Sequence, residues 1–271
     1  PLLWRGQALG VICVDNYQSA DIFGADHLKL VVAIAQHAAM AVANQLLQEE
    51  LLRESAAKVN LLRQFSPKIA ERLLKHRGRS LSGGERGDVT VLFADIRGFS
   101  KLSKSMEPED VVELLNSYFA ALTGVVFSHD GTVIQYVGDT VLAAFGSPEA
   151  DPMHYEKAVL AALEMQKEIA ELSATRTRSG QNVCNFGIGV HCGEVVNGFI
   201  GVSDFMGFTV VGDAVIRAAR LCAGAKAGAV LISPELYERV WRIIREAEPV
   251  TVDAKFEEHL PAFRINSLWT Q

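Results

Sequence analysis

Two aspartates at the ends of apolar runs carry the chemistry open to this sequence. Asp95 closes the run in VTVLFADIRGFS, residues Val89 to Ser100, and Asp139 lies inside IQYVGDTVLAAFG, residues Ile134 to Gly146. Carboxylates fixed at adjacent strand ends can hold two divalent cations close enough to polarise a phosphate chain for in-line attack at phosphorus. Taken singly each has an ordinary explanation, since Asp after a strand is a turn former or helix cap and Gly-Asp is good turn chemistry. Their significance comes from the elements that present them. Val89 to Ala94 is a near-continuous apolar run, as expected of a strand buried on both faces, and it stops at Asp95. Gly138-Asp139 separates two apolar runs by two residues, the length of a tight hairpin whose glycine can take a positive φ.

The surrounding pattern predicts strand 88–94, helix 108–128, hairpin strands 132–137 and 140–146, helix 152–173, strands 183–192 and 194–200, strand 205–211 and helix 214–224. Strand 229–232, a short helix 233–240 and closing strands near 250–254 and 261–266 follow. Helices alternating with hairpins suggest an α+β sandwich with a mostly antiparallel sheet. Upstream, Gly6 to Asp15 reads as a strand, and a helix opens near Asp26 with Leu28, Val31, Ala35, Ala38, Val42 and Leu46 on one face. Helical spacing continues from Gln48 to about Leu74 through Leu52, Ala56, Val59 and Leu62, and Phe65-Ser66-Pro67 breaks it. Such an amphipathic helix commonly finds its partner in a second copy of the chain, the alternative being a helix folded back on the domain it precedes. Arg77 to Gly87, rich in Gly and Ser, reads as a flexible connection.

Composition narrows the function. The 271 residues are 49% apolar, ample for a core, and a net charge of −6 without a basic cluster leaves no footprint for nucleic acid. Leu28 to Leu47 is interrupted by Lys29, Gln36, His37, Asn44 and Gln45, so it is expected to be a buried or amphipathic helix and not a membrane span. Cys13, Cys184, Cys192 and Cys222 form no C-x-x-C pair and match no His spacing, against a zinc site or a secreted disulfide framework. His191 and Cys192, adjacent on a strand, point to opposite faces and cannot easily share a ligand. A cytoplasmic protein is expected.

The two aspartate strings continue into FGIGVHCGEVVNGFIG at Phe186 to Gly201 and FTVVGDAVIRAARL at Phe208 to Leu221. In this order and separation the four strings resemble the class III nucleotidyl cyclases, which make cyclic AMP or cyclic GMP from the triphosphate, over roughly Gly87 to Ile265. The resemblance implies a ferredoxin-like core preceded by a long helix. It implies that Asp95 and Asp139 bridge two Mg²⁺ or Mn²⁺ ions with the Ile96 carbonyl as a further oxygen ligand, a hard donor set. Arg97, Gly98, Phe99 and Ser100 would turn backbone N–H groups to the triphosphate, and Lys255 stands where the family has a triphosphate-binding lysine, without the glycine that usually follows. Arg220 matches the arginine that stabilises charge on the phosphate in the transition state.

Several positions depart from the family's pattern. Gln135 replaces the adenine-reading lysine and Thr209 its partner; a glutamine amide both donates and accepts, so it does not by itself choose adenine over guanine. No Glu typical of a guanylyl cyclase stands there and Thr209 is common in the adenylyl branch, so ATP is the expected substrate. Ile216 replaces the asparagine that orients the ribose, and Arg217 beside it replaces an apolar residue. In the family the metal aspartates come from one subunit and the base, ribose and arginine positions from the other, which implies a homodimer. Residues 1–47 resemble the C-terminal part of a GAF-like sensor domain, with 48–86 a helical, dimerising linker and 87–271 the catalytic domain. On that reading the chain is a piece of a longer protein. The rival expectations are a cyclase with altered base choice, for GTP or a pyrimidine triphosphate, and a weakened regulatory module that keeps only the fold.

Overall fold

The computed structural model describes residues 1–17, 22–62, 64–75, 83–202, 205–254 and 257–269, in two compact units, Pro1–Gln64 and Phe65–Gln271. In the first unit, strands β1 (Leu2–Trp4) and β2 (Gln7–Gly10) form an antiparallel hairpin, and helix α1 (Ala25–Leu62) packs on it through buried Ala39 and Ala43. The strand expected over Gly6 to Asp15 is therefore cut short at Gly10, because its partner ends at Leu2 and nothing pairs beyond the Leu2–Gly10 register. Among the described residues of the unit, this short hairpin covers α1, and Ile12, Val14 and Phe23 lie beside its Leu28 and Val31. Leu28, Leu30, Ile34, Leu46 and Leu47 are left exposed, so the helix is less buried than its sequence suggests. By length and composition alone, α1 and the later helix of residues Pro108–Ser128 could each cross a membrane.

The second unit opens with α2 (Pro67–Lys75), started by the proline that breaks the preceding helix, and then β3 (Gly83–Ile96). A short helix α3 (Phe99–Leu102) and a single 3₁₀ turn at Ser103–Ser105 lead to α4 (Pro108–Ser128), whose Leu114, Tyr118, Leu122, Val125 and Val126 are buried in the core. The hairpin β4 (Thr132–Val137) and β5 (Thr140–Phe145) is followed by α5 (His154–Arg178), β6 (Phe186–Val202) and β7 (Phe205–Val211). The rest is α6 (Asp213–Gly224), β8 (Val230–Ile232), α7 (Pro234–Val240), β9 (Ile244–Ala254) and β10 (Glu257–Leu268). The eight strands order as β4-β5-β3-β6-β8-β10-β9 with β7 also on β6, and only the β6–β8 pair is parallel. This is the expected α+β fold with a mostly antiparallel sheet flanked by helices and preceded by a long helix.

Alternation along β3 sorts the core. Leu92, Ala94 and Ile96 face the layer built by α4, α5 and α7, while Val89, Val91 and Phe93 face the opposite side, where Ala214 and Ala218 of α6 pack. Asp95 continues this second row, and Arg97 follows in the turn after β3. Helix α6 lies directly on β6 at Gly189, where a Cβ would stand 2.1 Å from the Cys222 backbone nitrogen and 2.6 Å from the Ala218 carbonyl oxygen.

Several boundaries differ from the sequence expectation for backbone reasons. Gly83 to Gly87, read as flexible, belongs to β3 and pairs with β6 from Gly83–Phe199 to Gly87–Val195. Polar and glycine side chains carry no apolar signal there, yet the backbone donors and acceptors are matched. The two strands expected at 183–192 and 194–200 are one, because β3 runs past both sides of Gly193 and supplies a continuous partner. Helix α6, expected from residue 214, starts at Asp213 and is capped by Gly212 without any side-chain hydrogen bond. Helix α5 reaches Arg178, and its buried Arg176 donates to the Asn182 carbonyl at 2.8 Å, which ties down the last turn.

Candidate active site

Asp95 and Asp139 are brought together by strand pairing. Asp95 lies opposite Thr140 in the antiparallel β3–β5 register, and Asp139 immediately precedes Thr140 in a hairpin turn where Gly138 takes φ +61°. Thr140 Oγ1 donates to Asp95 Oδ1 at 2.6 Å, and Arg97 Nη1 meets Asp95 Oδ2 at 3.1 Å. Both partners of that ion pair are about three-quarters buried, with side chains 26% and 24% exposed. Burial raises the Asp139 carboxyl above the ordinary aspartate range, the nearby Asp95 charge raises it further, and Arg97 partly offsets both.

Ile96 ends β3 with its side chain in the core, so only its carbonyl is available as a ligand. The Arg97 backbone N–H donates to the Asn185 carbonyl at 2.7 Å, and its guanidinium turns inward, donating to the Cys222 carbonyl at 2.6 Å. The donors left for an anion are therefore those of Gly98, Phe99 and Ser100. Gly98, at φ +74°, turns the chain into α3, and Phe99 anchors that helix on the core. Lys255 lies outside the described residues.

The remaining positions stand on other elements. Gln135 is exposed on β4 just past a bulge, and Thr209 is half-buried on β7 opposite Gly198. Ile134 packs with Phe199 and Phe208, which brings β4 into contact with β7 although the two strands are not paired. On α6, Ile216 is 51% exposed and Arg220 half-buried. Arg217 is turned away to Glu235, 2.6 Å from its Oε1, so it is not held as a replacement for the missing asparagine. Thr140, the Cys222 carbonyl and Glu235 went unread in the sequence. Of these only Thr140, next to Asp139, left a local signal.

The donor set fits a hard divalent cation. Among the described residues no group of three or more His, Cys, Asp or Glu side chains could hold a metal, so two carboxylates and a carbonyl would leave most of the shell to water and phosphate oxygens. The crowding of Asp139 by Asp95 is the electrostatic stress a cation relieves. The thiols take no part. Cys184, Cys192 and Cys222 are buried, and burial pushes the Cys192 and Cys222 thiols up to about 12. His191 bonds Ser233 Oγ at 2.7 Å, away from its neighbour.

Comparison with known proteins agrees with this geometry. A stretch of 136 residues is 37% identical to "Adenylate cyclase 1" of Rhizobium meliloti (strain 1021), covering 50% of this chain and 20% of that protein. The chain thus spans a small part of that relative's length. The structure of the guanylyl cyclase Cya2 superposes with a TM-score of 0.63 at 30% identity, over 69% of this chain and 95% of that one. The adenylyl cyclase CyaB from P. aeruginosa gives 0.64 at 28% identity, over 68% and 96%. The sequence model of the adenylate and guanylate cyclase catalytic domain matches residues 82–259, well over half of the chain, which therefore belongs to the class III nucleotidyl cyclase family.

Proposed function

We propose that this chain is the catalytic part of an adenylate cyclase, converting ATP to 3′,5′-cyclic AMP and diphosphate in a homodimer. The observation that carries the reading is the Asp95–Asp139 pair held at one end of the sheet by Thr140. Two Mg²⁺ or Mn²⁺ ions, when bound, supply Lewis acidity at the ribose 3′-hydroxyl and neutralise phosphate charge. Asp95, Asp139 and the Ile96 carbonyl would hold them. The N–H groups of Gly98, Phe99 and Ser100 would orient the triphosphate, and Lys255 is proposed as a further ligand of it. Arg220, from the other protomer, would meet the charge that builds on the α-phosphate as the bond to diphosphate breaks.

Adenine as the base is supported by Thr209, by the absence of a Glu at position 135, and by the similarity to the Rhizobium adenylate cyclase. A second copy of the chain is supported by exposed Tyr136, Val137, Val211 and Ile216, apolar side chains on the elements that carry the base and ribose positions. Residues 1–47 as the end of a GAF-like sensor, 48–86 as a dimerising linker and a cytoplasmic location complete the reading. Incubating the purified protein with each of the four ribonucleoside triphosphates and Mn²⁺, and identifying the product by mass, tests it. Cyclic AMP from ATP is expected. Cyclic GMP as the main product would move the assignment to the guanylyl branch, and no cyclic product from any triphosphate would overturn the enzyme reading.

A further inference from the structure

We propose that Arg97 is a positioning residue, the internal counter-ion of Asp95, which makes divalent cations bind the nucleotide-free site weakly and enter together with the triphosphate. The inference rests on the reading of Asp95 as a metal ligand. Asp95 is the last residue but one of β3 and Arg97 opens the turn that follows it, and their charged atoms meet at 3.1 Å. The guanidinium is seated from behind: Nη2 donates to the Cys222 carbonyl at 2.6 Å and reaches the Gly187 carbonyl at 3.5 Å. The seat exists because position 187 has no side chain, a Cβ there falling 2.5 Å from Arg97 Nε and 2.6 Å from Nη2.

Arg97 Nε is buried and has no hydrogen-bond partner. An unsatisfied buried N–H is costly, so the head group is kept in place by its ion pair and its two carbonyl contacts in spite of that cost. This is not the setting of a mobile arginine reaching out for phosphate. A fixed positive charge in contact with a carboxylate repels any second cation on that carboxylate. A nucleoside triphosphate brings several negative charges and reverses the balance. The Cys222 carbonyl lies in the last turn of α6, the helix that carries Arg220 and Ile216, so the same guanidinium fixes the metal end of β3 to that helix.

The test is a Mn²⁺ titration of the whole nucleotide-free chain followed by electron paramagnetic resonance. Arg97→Gln should tighten Mn²⁺ at least about fivefold, because the repelling charge is gone, while Arg97→Lys, which keeps the charge, should stay within about twofold of wild type. Turnover of Arg97→Gln should nevertheless fall through kcat more than through KM. A generally loosened site would instead lose metal affinity and turnover together. An Arg97→Gln protein that folds and binds Mn²⁺ no tighter than wild type overturns the proposal. Should that variant not fold, a several-fold tightening in Arg97→Lys overturns it equally. Asp95→Asn separates the two layers: if it leaves Mn²⁺ binding unchanged, the metal reading itself fails, whereas loss of binding there without tightening in Arg97→Gln removes only the role of Arg97.

Discussion

Thr140 and Asp95 face each other across the β3–β5 pair, and the threonine hydroxyl donates to the carboxylate at 2.6 Å. One hydrogen bond thus fixes the rotamer of the first aspartate, and the next residue back along the chain is the second. Asp95→Ala or Asp139→Ala should each reduce cyclase activity by far more than tenfold while circular dichroism and size-exclusion behaviour stay unchanged. A variant retaining more than about a tenth of wild-type rate, a barrier difference of only ~1.4 kcal/mol, would exclude the two-metal role. Thr140→Val should cost less than either, because it frees the carboxylate without removing it.

Mixing Asp95→Ala protein with Arg220→Ala protein should recover part of the lost activity, since a mixed dimer has one site with both lesions and one with neither. Absence of recovery, with heterodimers demonstrated by differential tagging, would rule out sites shared between protomers.

Asp139 has its carboxyl raised by burial and by the Asp95 charge, so above its folded-state pKa the ionised group destabilises the fold, and the native state takes up a proton before the unfolded state does. Asp139→Asn should therefore raise Tm at neutral pH in metal-free buffer. That advantage should shrink as pH falls through the raised value toward the ordinary aspartate range. Thermal melts of both proteins across this window measure it, and a Tm difference independent of pH contradicts the electrostatic account.

Gly189→Ala should be destabilising by roughly 1–3 kcal/mol or more, as overpacking of a close interface is. Its Cβ would press on the backbone of α6, at Cys222 and Ala218, with no flexible side chain to give way. Denaturant midpoints report the loss, and activity should fall with it because α6 carries Arg220.

Gln135→Lys should sharpen the preference for ATP over GTP, since a fixed donor suits adenine N1 and opposes the protonated N1 of guanine. Gln135→Glu with Thr209→Cys should shift it toward GTP. Ile216→Asn should raise kcat more than it lowers KM, by restoring a hydrogen-bonding group to an exposed position whose neighbour Arg217 is already engaged with Glu235. Competition assays between the two triphosphates and single-substrate kinetics decide each of these.

The sequence by itself determined the parts whose signal is local. Apolar runs ending at Asp95 and flanking Gly138-Asp139 marked strand, turn and carboxylate together, because side-chain burial and turn chemistry act over a few residues. Helix 108–128 and the short helix expected over 233–240 were legible for the same reason; the latter runs from Pro234 to Val240, after Ser233, whose hydroxyl accepts from the Leu236 N–H. What depends on partners distant in sequence was not legible. Gly83 to Gly87 joins a strand only because β6 is long enough to pair with it, and β2 stops at Gly10 because β1 has no more to offer. The destination of Arg97 needed Cys222, 125 residues on, and the free space above Gly187. From sequence, Arg97 has a role only through its backbone N–H, and its guanidinium has no place. The tertiary structure turned it to Asp95 and α6, because its donors found two backbone carbonyls and a carboxylate within reach there.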